Sequence, residues 1–220
     1  MTELTPTLVL RAYAIGVFPM AESHDAETLF WVDPDMRGVL PLDAFHVPRR
    51  LKRTVRQGVF DVRCDTDFEG VIDGCATARG AHQDTWINAE VRSLFRALFA
   101  MGVVHTVECW RNERLVGGLY GLHLGGAFFG ESMFSRERDA SKVALVHLAA
   151  RMVHGGMVLL DTQFITAHLA QFGAVEIPRD VYRAQLNRAI GRTASFPADL
   201  PETALHAFLD RPRTPGDLPG

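Results

Sequence analysis

The chain has 220 residues, of which 47% are hydrophobic and 22% are charged, and its formal net charge is −3. This length allows one large core, or a main domain with a smaller one. No apolar run reaches the roughly 18–20 residues of a membrane span, and the start Met1-Thr2-Glu3 lacks the basic and apolar regions of a secretory signal. The small negative charge argues against general coating of nucleic acid.

The cysteine and histidine patterns predict neither disulfides nor a metal centre. Cys64, Cys75 and Cys109 form no Cys-x-x-Cys pair and leave one cysteine over, which favours a reducing, cytoplasmic location. None of the nine histidines has the spacing of a metal-binding cluster, so we expect no metal.

Residues 1–60 predict a small N-terminal α/β domain. The pattern indicates a helix over 7–18, capped by Thr7 and stopped by Gly16 and Pro19, and then strands over 29–32 and 38–41. A short basic helix follows and contains no acidic residue; its cations are Arg49, Arg50, Lys52, Arg53 and Arg56. Such a helix is either a solvated surface or a face that binds nucleic-acid phosphates.

Residues 61–192 predict the main domain, and the proline-rich residues 193–220 predict a loosely ordered tail. The expected helices cover 67–76 (capped by Asp67), 89–101 (capped by Asn88), 140–154, 165–172 and 178–190. The expected strands cover 60–64, 105–110, 115–122, 127–132, 157–163 and 174–177. Strands 105–132 form an antiparallel meander, and the fold class is α+β, with a mixed, largely antiparallel sheet flanked by helices. The element order resembles the N-acetyltransferase (GNAT-type) fold.

Familiar catalytic loops are missing from the sequence. Gly130-Glu131-Ser132-Met133-Phe134 lacks the second glycine of Gly-x-Ser-x-Gly, so we interpret Ser132 as structural. The segment 136–142, before the helix at 140, has no glycine and cannot form the usual pyrophosphate loop of a CoA enzyme. CoA-dependent acyl transfer therefore stays an alternative only.

Three acidic or amide side chains are candidates for chemistry. Glu131 lies among apolar residues with no basic neighbour before Arg136, so it either faces water or has a partner that makes it useful. Asp161 and Gln163 end an apolar strand at positions i and i+2, which places them on one face. They serve either as a catalytic pair or as loop-anchoring groups.

Two tryptophans lie beside turn signals. Trp31 and Trp86 either pack in the core or form a platform on which a base stacks.

Several motifs together carry a family resemblance. They are Tyr13 with Gly16-Val17-Phe18-Pro19-Met20, Trp31-Val32-Asp33-Pro34-Asp35-Met36-Arg37, Thr85-Trp86-Ile87, Gly117-Gly118-Leu119-Tyr120-Gly121, Gly130-Glu131-Ser132-Met133-Phe134-Ser135, Leu160-Asp161-Thr162-Gln163 and Phe172-Gly173-Ala174-Val175-Glu176-Ile177-Pro178-Arg179. In this order, over about residues 8–190, the sequence resembles the leucyl/phenylalanyl-tRNA–protein transferase family.

The resemblance implies an enzyme that moves Leu or Phe, and less efficiently Met, from charged tRNA to an N-terminal Arg or Lys of a protein. This addition creates an N-degron for bacterial protein degradation. The enzyme is expected to be a cytoplasmic monomer without cofactor or metal. A tRNA-binding module without catalysis is the second alternative.

The resemblance also assigns roles to residues. The catalytic residues are Asp161, Gln163 and Glu131, with Gln163 accepting a hydrogen bond from the attacking amine and polarised by Asp161. The substrate-binding residues are Trp31 and Trp86 for the terminal adenosine, and Leu119, Phe128, Met133, Leu148 and Leu160 for the transferred side chain. Arg49, Arg50, Lys52, Arg53 and Arg56 would hold acceptor-stem phosphates.

Overall fold

The computed structural model describes residues 4–21, 23, 28–77 and 85–212. The helices are α1 (Pro6–Ala14), α2 (Arg49–Arg56), α3 (Phe68–Ala76), α4 (Ala89–Ala100), α5 (Ala140–His154), α6 (Ala167–Ala170), α7 (Arg179–Ile190) and α8 (Glu202–Asp210). The strands are β1 (Phe18–Ala21), β2 (Leu29–Val32), β3 (Met36–Val39), β4 (Asp61–Cys64), β5 (Val104–Arg111), β6 (Arg114–Leu124), β7 (Ala127–Ser135), β8 (Leu159–Gln163) and β9 (Val175–Pro178).

A seven-stranded mixed sheet organises the fold. Its order is β4-β5-β6-β7-β8-β3-β9, and all neighbours pair antiparallel except β7 and β8. Strands β1 and β2 form a separate antiparallel pair. The α+β class with a mixed, largely antiparallel sheet flanked by helices is therefore confirmed. Strand β3 lies in the large sheet although it precedes residue 60; the expected division after residue 60 stays a prediction.

Two hydrophobic clusters cover the two faces of the sheet. Strand alternation sends Leu119 and Phe128 to one cluster and Tyr120 and Phe129 to the other. The first cluster includes side chains of α2, α5, α6 and α8, and the second includes side chains of α1, α3, α4 and α7. The sheet is thus buried on both sides, and a separation of two strands would leave an opening between the two clusters.

Two irregularities of β7 create such an opening. The parallel pairing of β7 with β8 ends at Phe129 and Asp161, although β7 continues to Ser135. On its other side, β7 carries a β-bulge: Tyr120 pairs with Ser132 and Gly121 with Gly130, which leaves Glu131 as the extra residue. A bulge bends a strand and redirects a side chain, so Glu131 lies where the two strands diverge.

Most elements lie where the sequence predicts them. Strand β2, helix α5, the β5–β6–β7 meander and the caps Asp67 and Asn88 are confirmed, and each cap side chain accepts from the amide three residues later. The predicted helix over 7–18 is too long, because it stops at Ala14 and β1 begins at Phe18. Thr5, and not Thr7, caps it. Residues 79–84, whose polar sequence predicts a loop before α4, lie outside the described residues.

The expectation of a loosely ordered tail is wrong for residues 202–210. Helix α8 buries Leu205, Phe208 and Leu209 in the first cluster, where the rings of Phe208 and Phe45 are 5.5 Å apart. The prolines mark the boundaries of this segment, since Pro201 directly precedes the helix. In the described ranges, no helix has the length and apolar character required to span a bilayer.

The burial of α8 predicts a stability effect. Phe208→Ala removes a buried ring and should lower the free energy of unfolding by about 3 kcal/mol, measured by urea denaturation. Thr203→Ala, at an exposed position of the same helix, should change it by less than about 0.5 kcal/mol. Equal stability of wild type and Phe208→Ala would show that the Phe208 ring is not buried in the first cluster.

Candidate active site

A cavity of about 440 Å³ lies where β7 and β8 separate. Residues 130–133 of β7 line one side, and Leu160, Thr162 and Gln163 of β8 line the other. Below the cavity the two strands are joined by backbone pairing, and above it they are not. A substrate can therefore enter between the strands and contact backbone and side chains of both.

One wall of the cavity is apolar. It comprises Leu119, Met133, Leu145, Leu148, Leu160 and Leu169, all of which belong to or pack against the first hydrophobic cluster. We call these residues the leucine wall. Four of the five residues predicted to hold the transferred side chain lie in it: Leu119, Met133, Leu148 and Leu160. The fifth, Phe128, is completely buried in the first cluster and does not line the cavity.

The opposite wall mixes aromatic and polar groups. It includes Phe18, Met20, Cys75, Trp86 and Tyr120. Trp31 does not line the cavity; it is 43% exposed on β2, where it pairs with Pro19, which does. Trp31 thus lies at the rim and Trp86 lies inside.

Glu131 has a partner that the sequence did not indicate. The Tyr13 hydroxyl donates a hydrogen bond to Glu131 Oε1 at 2.8 Å. Burial raises the pKa of Glu131 to about 8, and the nearby charge of Asp161 adds to this, while the Tyr13 hydrogen bond and Arg37 oppose it. At neutral pH the Glu131 side chain is therefore mainly a neutral acid facing the cavity.

Asp161 is fully buried and bound by three groups of the protein. Arg37 Nε donates to both carboxylate oxygens at 2.9 and 3.1 Å, and Arg37 Nη2 donates to Oδ2 at 2.7 Å. The Tyr182 hydroxyl donates to Oδ2 at 2.6 Å, and the backbone N–H of Gln163 donates to Oδ1 at 2.8 Å. With these bonds the carboxylate is satisfied, and it does not line the cavity.

Gln163 lines the cavity through an unusual backbone conformation. Its φ of +56° lies in the left-handed region, which non-glycine residues rarely adopt. The side-chain NH₂ donates to Gly130 O at 2.8 Å and to Thr162 O at 3.2 Å in the orientation that satisfies its hydrogen bonds. The amide thus spans the gap between β8 and β7 directly above their last backbone pair.

The expectation that Asp161 and Gln163 share one face is wrong. The left-handed conformation of Gln163, together with a register shift in the adjoining β3–β8 pair, breaks the alternation of the strand. Leu160 and Thr162 point into the cavity, Asp161 points away from it, and Gln163 turns back into it. The carboxylate of Asp161 accepts from the backbone of Gln163 and not from its amide, so it does not polarise the amide directly.

The five basic residues of α2 fall into two groups. Lys52 Nζ and Arg56 Nη2 bind Asp210 of α8 at 2.8 and 2.7 Å. Arg49, Arg50 and Arg53 are exposed, and none of them pairs with a carboxylate among the described residues. Leu51 and Val55 bury the other side of the helix, so the three unpaired arginines face solvent.

Four residues of the site were not assigned a role from the sequence. They are Tyr13, Arg37, Tyr120 and Tyr182. Tyr13 and Arg37 stand within the quoted motifs, but no local pattern shows that they reach residues 118 and 124 positions further along the chain. Among the described residues, no group of three His, Cys, Asp or Glu side chains could hold a metal ion.

The setting of Glu131 predicts a pH-dependent stability. An unfolded carboxyl releases its proton near pH 4.5, whereas the folded one holds it up to about pH 8. Relative to Glu131→Gln, wild type should therefore lose at least about 2 kcal/mol of unfolding free energy between pH 5 and 8, measured by urea denaturation. Glu113→Gln, at an exposed turn, is the control. A constant difference between wild type and Glu131→Gln would contradict the raised pKa.

Comparison with known proteins places these features in a family. The sequence model of the "Leucyl/phenylalanyl-tRNA protein transferase" matches residues 39–187, and that of its N-terminal domain matches residues 2–35. Among solved structures, L-PGS from Bacillus licheniformis is similar with 10% identity and a TM-score of 0.40, over 92% of this chain and 61% of that chain.

Curated relatives are much more similar. Leucyl/phenylalanyl-tRNA–protein transferase of Rhodopseudomonas palustris (strain BisB18) is 60% identical over 89% of this chain and 85% of its own. The proteins of the same name from Paramagnetospirillum magneticum and Nitrobacter winogradskyi are 60% and 57% identical, over 89% and 96% of this chain and 94% and 96% of their own. The chain therefore belongs to the leucyl/phenylalanyl-tRNA–protein transferase family, whose members are aminoacyltransferases.

Proposed function

We propose that this enzyme transfers Leu or Phe, and less efficiently Met, from charged tRNA to the α-amine of an N-terminal Arg or Lys, which marks the acceptor protein for degradation. The observation that carries the proposal is that the leucine wall, Glu131 and Gln163 line one cavity at the gap between β7 and β8. An apolar side chain and an amine can meet there. The proposal includes action as a monomer in the cytoplasm, without cofactor or metal.

The reaction depends more on positioning of the acceptor amine than on strong base catalysis. The acceptor α-amine attacks the ester carbonyl of aminoacyl-tRNA, the C–N bond forms, and the ester C–O bond breaks. The amine loses a proton and the leaving ribose oxygen gains one. Because an α-amine has a pKa of about 8, roughly a tenth is neutral at pH 7. Holding this amine against the ester supplies much of the rate.

Gln163 is proposed to receive the attacking amine. Its NH₂ group is occupied by Gly130 O and Thr162 O, so its amide oxygen is the group that can accept an N–H from a substrate. Asp161 acts as a positioning residue here: it holds the backbone N–H of Gln163 and thereby the left-handed turn that aims the amide.

Glu131 is proposed to bind the cationic end of the acceptor. An N-terminal Arg or Lys carries a positive side chain, and a nearby cation favours the ionised form of a carboxyl group. Binding of the acceptor should therefore lower the pKa of Glu131 from about 8 and release its proton. The carboxylate becomes charged only when its partner is present.

The leucine wall accounts for the proposed donor preference. An apolar pocket discriminates by about 1–3 kcal/mol per methylene, so Leu, Phe and Met are accepted whereas smaller or charged side chains bind less well. Trp86 inside the cavity and Trp31 at its rim are proposed to contact the terminal adenosine, since a base stacked on an aromatic ring contributes about 1–3 kcal/mol.

The catalytic part is proposed to be of the N-acetyltransferase type. The support is the order β5–β6–β7–α5–β8 and the separation of the parallel neighbours β7 and β8.

The incubation that tests the function contains charged Phe-tRNA, a peptide beginning with Arg and, separately, acetyl-CoA. Mass spectrometry should show one added Phe and no acetyl group. Acetylation would favour a CoA-dependent enzyme, and no addition would favour a tRNA-binding module.

Replacement of Gln163 tests its proposed role. Gln163→Ala should lower the single-turnover rate of Phe transfer about 100-fold, because the amine loses its acceptor. Gln185→Ala, on α7 and outside the cavity, should keep the wild-type rate. A wild-type rate in Gln163→Ala would refute the role.

The unpaired arginines of α2 are proposed to bind tRNA phosphates, so their replacement should affect a tRNA donor and not a short adenosine donor. Arg49→Gln with Arg53→Gln should weaken binding of Phe-tRNA and reduce the slope of log K against log salt by about 0.7–0.9 per lost phosphate contact. Transfer from phenylalanyl-adenosine should not change, because this donor has no acceptor stem. Arg114→Gln, at the exposed first position of β6, is the control. Equal loss with both donors would contradict phosphate binding by α2.

A further inference from the structure

Tyr120 lines the cavity and carries a buried hydroxyl group that the interior of the protein does not explain. The residue is completely buried, and its hydroxyl oxygen has no hydrogen-bond partner among the described residues. The other two tyrosines of the chain, Tyr13 and Tyr182, each donate to a carboxylate. A buried hydroxyl without a partner costs free energy, and phenylalanine would fill the same space without that cost.

The ring of Tyr120 is held in place by aromatic neighbours. Phe95 and Phe68 contact it edge to face, with ring centroids 5.3 and 6.5 Å away. On β6, Tyr120 pairs with Ser132, directly beside the bulge at Glu131. These contacts fix the ring, and with it the position of the hydroxyl oxygen, before a substrate binds.

The position of Tyr120 restricts which part of a substrate it meets. It lies in the wall that contains Trp86 and Cys75, opposite the leucine wall. In the proposed binding mode the apolar side chain packs on the leucine wall, and the nucleoside packs on Trp86, which lies with Tyr120 on the side of the second hydrophobic cluster. Between base and ester, that nucleoside offers the ribose oxygens as hydrogen-bond acceptors.

From this placement we infer that the Tyr120 hydroxyl binds the ribose 2′-oxygen of the terminal nucleoside of the donor. The inference rests on the proposed transfer from an aminoacylated nucleoside and adds a specificity-determining residue to it. The hydrogen bond distinguishes ribose from deoxyribose and fixes the 3′-ester relative to Gln163. The buried hydroxyl thus lowers the stability of the free enzyme and gains its partner when the donor binds.

The test combines Tyr120→Phe with a change in the donor. Transfer to an Arg peptide is measured with 3′-phenylalanyl-adenosine and with its 2′-deoxy analogue, for wild type and variant. Wild type should prefer the ribose donor by about three- to tenfold in kcat/KM, and Tyr120→Phe should remove the preference. Thr77→Val, whose hydroxyl is bound internally by Asp73 O at 2.7 Å, should keep it.

Each of these measurements decides whether Tyr120 contacts the 2′-oxygen. An equal loss with both donors, or an unchanged preference in Tyr120→Phe, would overturn the contact with the 2′-oxygen. A lower unfolding free energy of Tyr120→Phe would also overturn it, because the hydroxyl would then have a partner inside the protein; we expect equal or higher stability. If wild type transfers Phe from neither the adenosine donor nor Phe-tRNA, the proposed function fails, and not only the role of Tyr120.

Discussion

The buried ion pair between Arg37 and Asp161 is the interaction on which the site depends. Arg37 is 1% exposed and Asp161 is not exposed at all, so each charge needs the other. The guanidinium lies between the rings of Phe18 and Tyr182, 4.4 and 4.6 Å from their centroids, and donates to Gly16 O at 3.0 Å. Removing one partner of a buried pair commonly costs about 3–5 kcal/mol, because the other charge is left uncompensated.

This ion pair joins parts of the chain that are distant in sequence. It connects β3 to β8, and through Tyr182 and Gly16 it connects both to α7 and to the turn after α1. That turn separates Tyr13, which binds Glu131, from Phe18, which lines the cavity. The groups on both sides of the gap between β7 and β8 are therefore held by one network, and Asp161 contributes to the site without entering the cavity.

The meander of β5, β6 and β7 could be predicted from the sequence because it follows local periodicity, whereas the place of β3 between β8 and β9 could not. The family resemblance implied four residues of the leucine wall, but it also implied Phe128, which does not line the cavity, and it left out Leu145 and Leu169. Glu131 and Gln163 were also recognisable, through the family resemblance, but their orientation was not. A bulge at Glu131 and a left-handed φ at Gln163 depend on how neighbouring strands pair, and no local pattern shows this.

For the C-terminal segment, the expectation from the sequence was wrong. Its prolines suggested loose order, but apolar side chains at helical spacing, Leu205, Phe208 and Leu209, bury α8 in the core. The same helix carries Asp210, which binds Lys52 and Arg56 and leaves the other three cations of α2 to face solvent. Contacts made over such a distance in sequence become visible only in the folded chain.

The central claim is that donor and acceptor meet in the gap between β7 and β8. A crystal structure with a non-hydrolysable phenylalanyl-adenosine amide tests it most directly. The account predicts the phenyl ring against Leu148 and Met133, and the α-carbon of the bound amino acid close to Gln163. An analogue bound outside this cavity, or with its ring turned toward Trp86, would contradict the account.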